Sequence, residues 1–195
     1  MKLAIVDLDM VVADNTKRME IAETKREFYR QHLGDAMPDA LANPVNHAQV
    51  QKGFDDLLDN LYWQAAFNPQ LVSLDTLIEG ANEIVLDLRA DGYKVVFLTS
   101  RPESMRHATE RWLFEHTVYD RDDELVMKPP AFQFTKTSAW KAGMVQTLSM
   151  FYGGEDVMFI DDDQSNIDEL VKHGSLDGAL HVWCYRSLIE AVKPI

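Results

Sequence analysis

Residues 3 to 9 read Leu-Ala-Ile-Val-Asp-Leu-Asp. Four consecutive apolar residues ending in acid predict a short strand buried on both faces, because a strand with one wet face would alternate apolar and polar. Similar runs follow at 94–99 (KVVFLT), 157–161 (VMFID) and 179–183 (ALHVW). Amphipathic stretches separate them. From Glu79 to Ala90, Ile84, Val85 and Leu88 share one face ahead of an Asp91-Gly92 stop, and 104–116, 136–151 and 165–173 read the same way. Strands alternating with helices predict an α/β fold built on a parallel sheet, whose ligands lie beyond the carboxyl ends of the strands. Three of the four runs end in polar residues, at 7–9, 99–101 and 161–163, and should converge on one crevice.

About 65 residues separate the first strand from the helix at Glu79, too many for a simple connection. Thr16 to His32 and His47 to Trp63 have helical spacing, and Pro38, Pro44 and Pro69 interrupt the stretch. The reading is a core of residues 1–13 and 79–195 carrying a helical cap insertion, 14–78, over the crevice. The alternative is that these helices extend the main core.

The chain of 195 residues is 46% hydrophobic and 26% charged, as in ordinary globular domains. Its single cysteine, Cys184, excludes an intramolecular disulfide and a cysteine-based zinc cluster. The apolar run after Met1-Lys2 is too short for a signal peptide and no long apolar stretch suggests a membrane span, so a cytoplasmic location is expected. A net charge of −13 opposes tight non-specific binding to nucleic acid, so any such contact should be local.

Asp7 and Asp9, two residues apart in extended chain, point the same way. One carboxylate could attack a phosphorus atom while the other protonates the leaving oxygen and then activates water, provided a cation offsets the crowded charge. Acids after strands also serve as turn formers and helix caps. Asp161-Asp162-Asp163 repeats the theme, since hard oxygen ligands suit magnesium, although acidic runs are most often solvated loops. Thr99-Ser100-Arg101 offers a hydroxyl, amides and a guanidinium suited to phosphate oxygens, or simply a helix cap. Lys141 could balance the nucleophile, though a lone helical lysine is usually exposed. The six histidines lack paired ligand spacing and are assigned to no metal. Tyr62, Trp63 and Phe67 are read as packing rather than as a base-stacking surface. No GxxxxGK[ST] loop is present, so no linked kinase is encoded.

The order of DxDxV at 7–11, a strand ending in Thr99, Lys141, and a strand ending in Asp161-Asp162 resembles the four motifs of the haloacid dehalogenase (HAD) superfamily. The resemblance implies a three-layer Rossmannoid fold and a magnesium-dependent phosphomonoester hydrolase. Asp7 would be the nucleophile, Asp9 the general acid and base, Thr99 a phosphate-binding hydroxyl and Lys141 the charge stabiliser. Asp7 and Asp9, with Asp161 or Asp162, would bind the metal. TSRPESMRHATERWL (99–113), LVMKP (125–129), Lys141 and IDDDQSNI (160–167) further resemble the phosphatase half of phage polynucleotide kinase and its relatives. That likeness implies Ser100, Arg101 and Lys128 as substrate contacts and a polynucleotide 3'-phosphate or a nucleotide as substrate. This chain departs from the pattern at Lys128, where arginine is usual, at Met10, where glycine is usual, and at Val11, where threonine is common. The competing readings are a non-catalytic HAD-like binding or scaffold protein and a phosphatase of another small phosphometabolite.

Overall fold

A computed structural model describes residues 1–34, 47–173 and 182–187. The chain divides into two compact units, one of residues 1–14 with 76–195 and one of residues 15–75.

The first unit is organised by β1 (Lys2–Val6), whose residues Leu3 to Val6 have no solvent exposure. β1 pairs in parallel with β4 (Tyr93–Pro102) on one edge and β6 (Asp156–Ile160) on the other, with Val6 opposite Phe97 and Ile160. β5 (Glu124–Lys128) and β7 (Val182–Tyr185) complete a sheet of order β5-β4-β1-β6-β7, all parallel. All carboxyl ends therefore open on one edge. Val182 and Trp183 of the run expected at 179–183 lie in β7; its first three residues, like Pro38 and Pro44, lie outside the described residues. β5 is absent from the strands the apolar runs predict: with alternating burial and charged ends, it lacks the unbroken apolar run of β1. A two-residue antiparallel pair, β2 (Ala13–Asp14) with β3 (Thr76–Leu77), joins the chain where it leaves and re-enters this unit.

Both sheet faces are covered. Leu3, Ile5, Val96, Leu98, Val157 and Phe159 pack with Trp140, Val145 and Leu148 of α5 (Thr137–Tyr152) and Ile167 and Leu170 of α6 (Gln164–His173). The intervening residues Ala4, Val6, Val95 and Phe97 are equally buried. Phe97 meets Tyr119, which meets Phe114 of α4 (Arg106–Glu115), so α4 lies on that face. α3 (Ala81–Ala90) buries Val85 and Leu88. α5 stops at Gly153, whose φ of 57° suits the left-handed cap that a side chain would strain.

The second unit packs α1 (Thr16–Gly34) against α2 (His47–Ala66) through Ala22, Ala65, Ala66, Met19 and Tyr62. So small an apolar core is supplemented by a buried ion pair. The Arg18 guanidinium donates to both oxygens of Asp75, at 2.9 and 3.2 Å, and to the carbonyl of Ala66. Tyr62 packs as expected, whereas Trp63 stacks on Phe67 and is nearly half exposed. Among the described residues no helix is long and apolar enough to cross a membrane.

Candidate active site

The site is assembled where β1, β4 and β6 end. The Asp7 amide donates to the Ile160 carbonyl, extending the β1–β6 ladder by one residue and fixing where its side chain emerges. The chain then reverses: the amides of Val12 and Ala13 converge on the Leu8 carbonyl, and that of Met10 donates to the carbonyl of Ala13. Met10 closes this turn at φ 62°, in the left-handed region, with its side chain exposed. That conformation accounts for the advantage of glycine here and for how methionine is tolerated, since strain is accepted locally and no bulk is driven into the core.

Lys141 is nearly inaccessible, and its ammonium lies 2.9 Å from an oxygen of Asp7 and 2.6 Å from one of Asp161. Burial opposes its charge, but Asp7 and Asp161 outweigh burial and push its pKa up to about 12. Burial pushes Asp7 up to about 7 against the pull of Lys141, with Asp161 and Asp9 adding to the rise. Both oxygens of Asp161 are engaged. One accepts from Lys141, the other from the Asn166 side chain at 2.9 Å and the Asp163 amide at 3.0 Å. Asp162 is half-buried; burial and neighbouring Asp161 raise its pKa. Asp163 is exposed and accepts from the Ser165 amide, capping α6, which is the ordinary role of an acid at that position.

Asp7, Asp161 and Asp162 bring one carboxylate oxygen each to within 4.8 Å of one another. Carboxylate oxygens this close together are the hard donor type a magnesium ion takes, one or two at a time with water completing its shell, so these residues fit that metal. The Asp9 carboxylate, expected among the metal ligands, is not part of this group. It is instead gripped by Arg101, whose Nη2 lies 2.6 Å from Oδ1 and whose Nε reaches both oxygens at 3.1 and 3.2 Å. Arg101 is wholly buried, and its Nη1 donates to the Thr109 hydroxyl at 3.5 Å. The guanidinium expected at the phosphate thus spends its planar fork on Asp9.

Thr99 is buried in β4 just before its register shifts against β5, its hydroxyl accepting from the Arg101 amide, and Ser100 beside it is half-buried. Lys128 turns to its own loop. Its ammonium donates to the Thr135 carbonyl at 2.6 Å, and burial lowers its pKa. Asn166 is a partner of Asp161 that the motifs do not reveal, although an amide five residues beyond that carboxylate on the following helix is a readable signal for it.

No family model and no curated protein sequence matches the chain. Its fold, however, is that of the HAD-like hydrolases. A haloacid dehalogenase-like family hydrolase from Streptococcus pneumoniae superposes with a TM-score of 0.63 at 12% identity, covering 98% of this chain and 97% of that one. A HAD-superfamily hydrolase of subfamily IA from Geobacter sulfurreducens gives 0.54 at 16% identity, covering 89% and 84%. A predicted phosphatase from Clostridium acetobutylicum gives 0.57 at 13% identity, covering 97% and 95%.

Proposed function

We propose that this chain is a magnesium-dependent phosphomonoester hydrolase acting through an aspartyl-phosphate at Asp7. The observation that carries the reading is the Asp7–Lys141–Asp161 array beside an Asp9 held by Arg101. Asp7 attacks phosphorus, forming the Asp7 oxygen–phosphorus bond as the bond to the leaving oxygen breaks. Lys141 stays protonated throughout and balances charge on the nucleophile and the transferring group. Asp9 would carry a proton on the edge that Arg101 leaves open when substrate binds and pass it to the leaving oxygen. As the carboxylate held by Arg101 it would then take a proton from the water that cleaves the phosphoenzyme, which restores its starting state. Its side chain is 22% exposed, so a substrate can reach an edge that Arg101 does not cover. Thr99 and Ser100 supply hydroxyls for the phosphoryl oxygens. Magnesium, held by Asp7, Asp161 and Asp162, would neutralise charge between nucleophile and phosphate.

The substrate class we favour is a nucleotide or a polynucleotide 3'-phosphate, supported by the likeness of 99–113 and 125–129 to polynucleotide 3'-phosphatases; Arg101 on Asp9 and Lys128 on Thr135 leave Thr99 and Ser100 as the nearer phosphate contacts. The test is phosphate release from p-nitrophenyl phosphate, a sugar phosphate, a mononucleotide and a 3'-phosphorylated oligonucleotide, with magnesium and with EDTA. Turnover lost in EDTA and in Asp7→Asn is expected. No turnover of any substrate with magnesium would favour a binding or scaffold protein, and best turnover of the sugar phosphate would overturn the nucleotide preference.

A further inference from the structure

The loop after β5 has a composition unlike the rest of the chain. In a sequence with 32 acidic residues, positions 125–154 contain none, and their only charges are Lys128, Lys136 and Lys141. Within this stretch Phe134 is 94% exposed and Phe132 46%. Exposed aromatics on mobile loops are common, but this loop is pinned. Pro129 and Pro130 restrict its start, and the amides of Phe132, Gln133 and Thr135 bond back to Pro129, Pro130 and Phe132. The Lys128 ammonium clamps the far end through the Thr135 carbonyl. A pinned loop presents its rings to solvent at little further entropic cost on binding.

Topology places the loop relative to the chemistry. It leaves the carboxyl end of β5, on the sheet edge from which Asp7 emerges, and β5 is separated from β1 by β4 alone. Two strand spacings amount to about 10 Å. A ligand whose phosphate sits at Asp7 and whose body extends toward β5 therefore approaches the loop that carries Phe132 and Phe134.

We propose that Phe134, aided by Phe132, is a specificity-determining stacking surface for the base of a nucleoside monophosphate whose phosphate is bound at Asp7. Stacking suits any base because each has a π-face, and the loop itself carries no carboxylate to repel an anionic ligand. The inference rests on the phosphatase reading and narrows its substrate.

The test compares 2'-deoxyadenosine 3'-monophosphate with the base-free sugar phosphate in the full-length wild type, Phe134→Ala and Phe134→Trp. Wild type should favour the nucleotide. Phe134→Ala should raise KM for the nucleotide about tenfold while leaving kcat and the sugar phosphate unchanged, and Phe134→Trp should restore KM. Calorimetric binding of the same ligands to Asp7→Asn, with and without Phe134→Ala, reads the contact without turnover. Base-dependent binding that requires Phe134 in a protein that hydrolyses nothing would support the stacking surface while removing the phosphatase reading. Equal effects of Phe134→Ala on both ligands, or no effect on either, would overturn the inference.

Discussion

Replacing Asp7 with asparagine should stabilise the metal-free protein, and increasingly so as pH rises. Asp7 is buried and holds its proton up to about pH 7, against an ordinary value of 3.8. Because the folded value is raised, the contribution to stability is fully present below about pH 4 and is lost as pH climbs through 7. The interval from 3.8 to about 7, at about 1.4 kcal/mol per pH unit, is on the order of 4 kcal/mol by pH 8. Asparagine keeps the shape, stays neutral, and offers an oxygen to Lys141, which also retains Asp161. Thermal unfolding in EDTA should therefore show similar Tm values at pH 4, with the variant higher by on the order of 10 °C at pH 8. Magnesium should raise the wild-type Tm at pH 8 far more than that of the variant. A Tm gap independent of pH, or a variant that grows less stable with pH, would refute the account, because Lys141 would then be outweighing burial.

Arg101→Lys should cut kcat at least tenfold with little change in KM, since lysine keeps the charge but loses the fork that orients Asp9; the loss should be larger for leaving groups of high pKa, and equal losses across a leaving-group series would remove Arg101 from that role. Met10→Gly should raise stability by about 0.5–1 kcal/mol in denaturant titrations by relieving a left-handed residue, net of the chain entropy of glycine, and an unchanged midpoint would show the turn to be unstrained. Asp162→Asn should weaken the magnesium dependence of turnover, whereas Asp163→Asn should leave it unchanged, because Asp163 faces solvent and caps α6; a reversed order would move the ligand to Asp163.

What could be read from sequence follows the range of the forces involved. β1 was legible because a strand paired on both edges and covered on both faces needs an unbroken apolar run, and Leu3 to Val6 supply one. The helices of the 15–75 unit were legible from their spacing, but the ion pair that locks them was not, because Arg18 and Asp75 lie 57 residues apart and either alone reads as surface charge. The same holds at the site. Motif order identified Lys141, yet nothing local showed that it joins Asp7 to Asp161, or that Arg101 turns to a carboxylate 92 residues earlier. Met10 was legible as an anomaly only; the positive φ that makes it one is a property of the turn it closes.

The pairing of Arg101 with Asp9 also bears on the metal. Four carboxylates, Asp7, Asp9, Asp161 and Asp162, stand at this edge with two cations buried against them. Arg101 takes up Asp9, which leaves Asp7, Asp161 and Asp162 around Lys141. With all three ionised the remainder is an excess of two negative charges in a largely buried setting, and the rise of Asp7 to about 7 is how the metal-free fold sheds one of them. A divalent cation held by these carboxylates would offset both and would favour the ionised Asp7, the state the proposed nucleophile needs. Had Arg101 instead faced the three-carboxylate group, Asp9 would have lost that guanidinium and the edge as a whole would have kept the same excess of two. Arg101 on Asp9 therefore leaves the excess of two charges at Asp7, Asp161 and Asp162, where a divalent metal beside the proposed nucleophile would offset it.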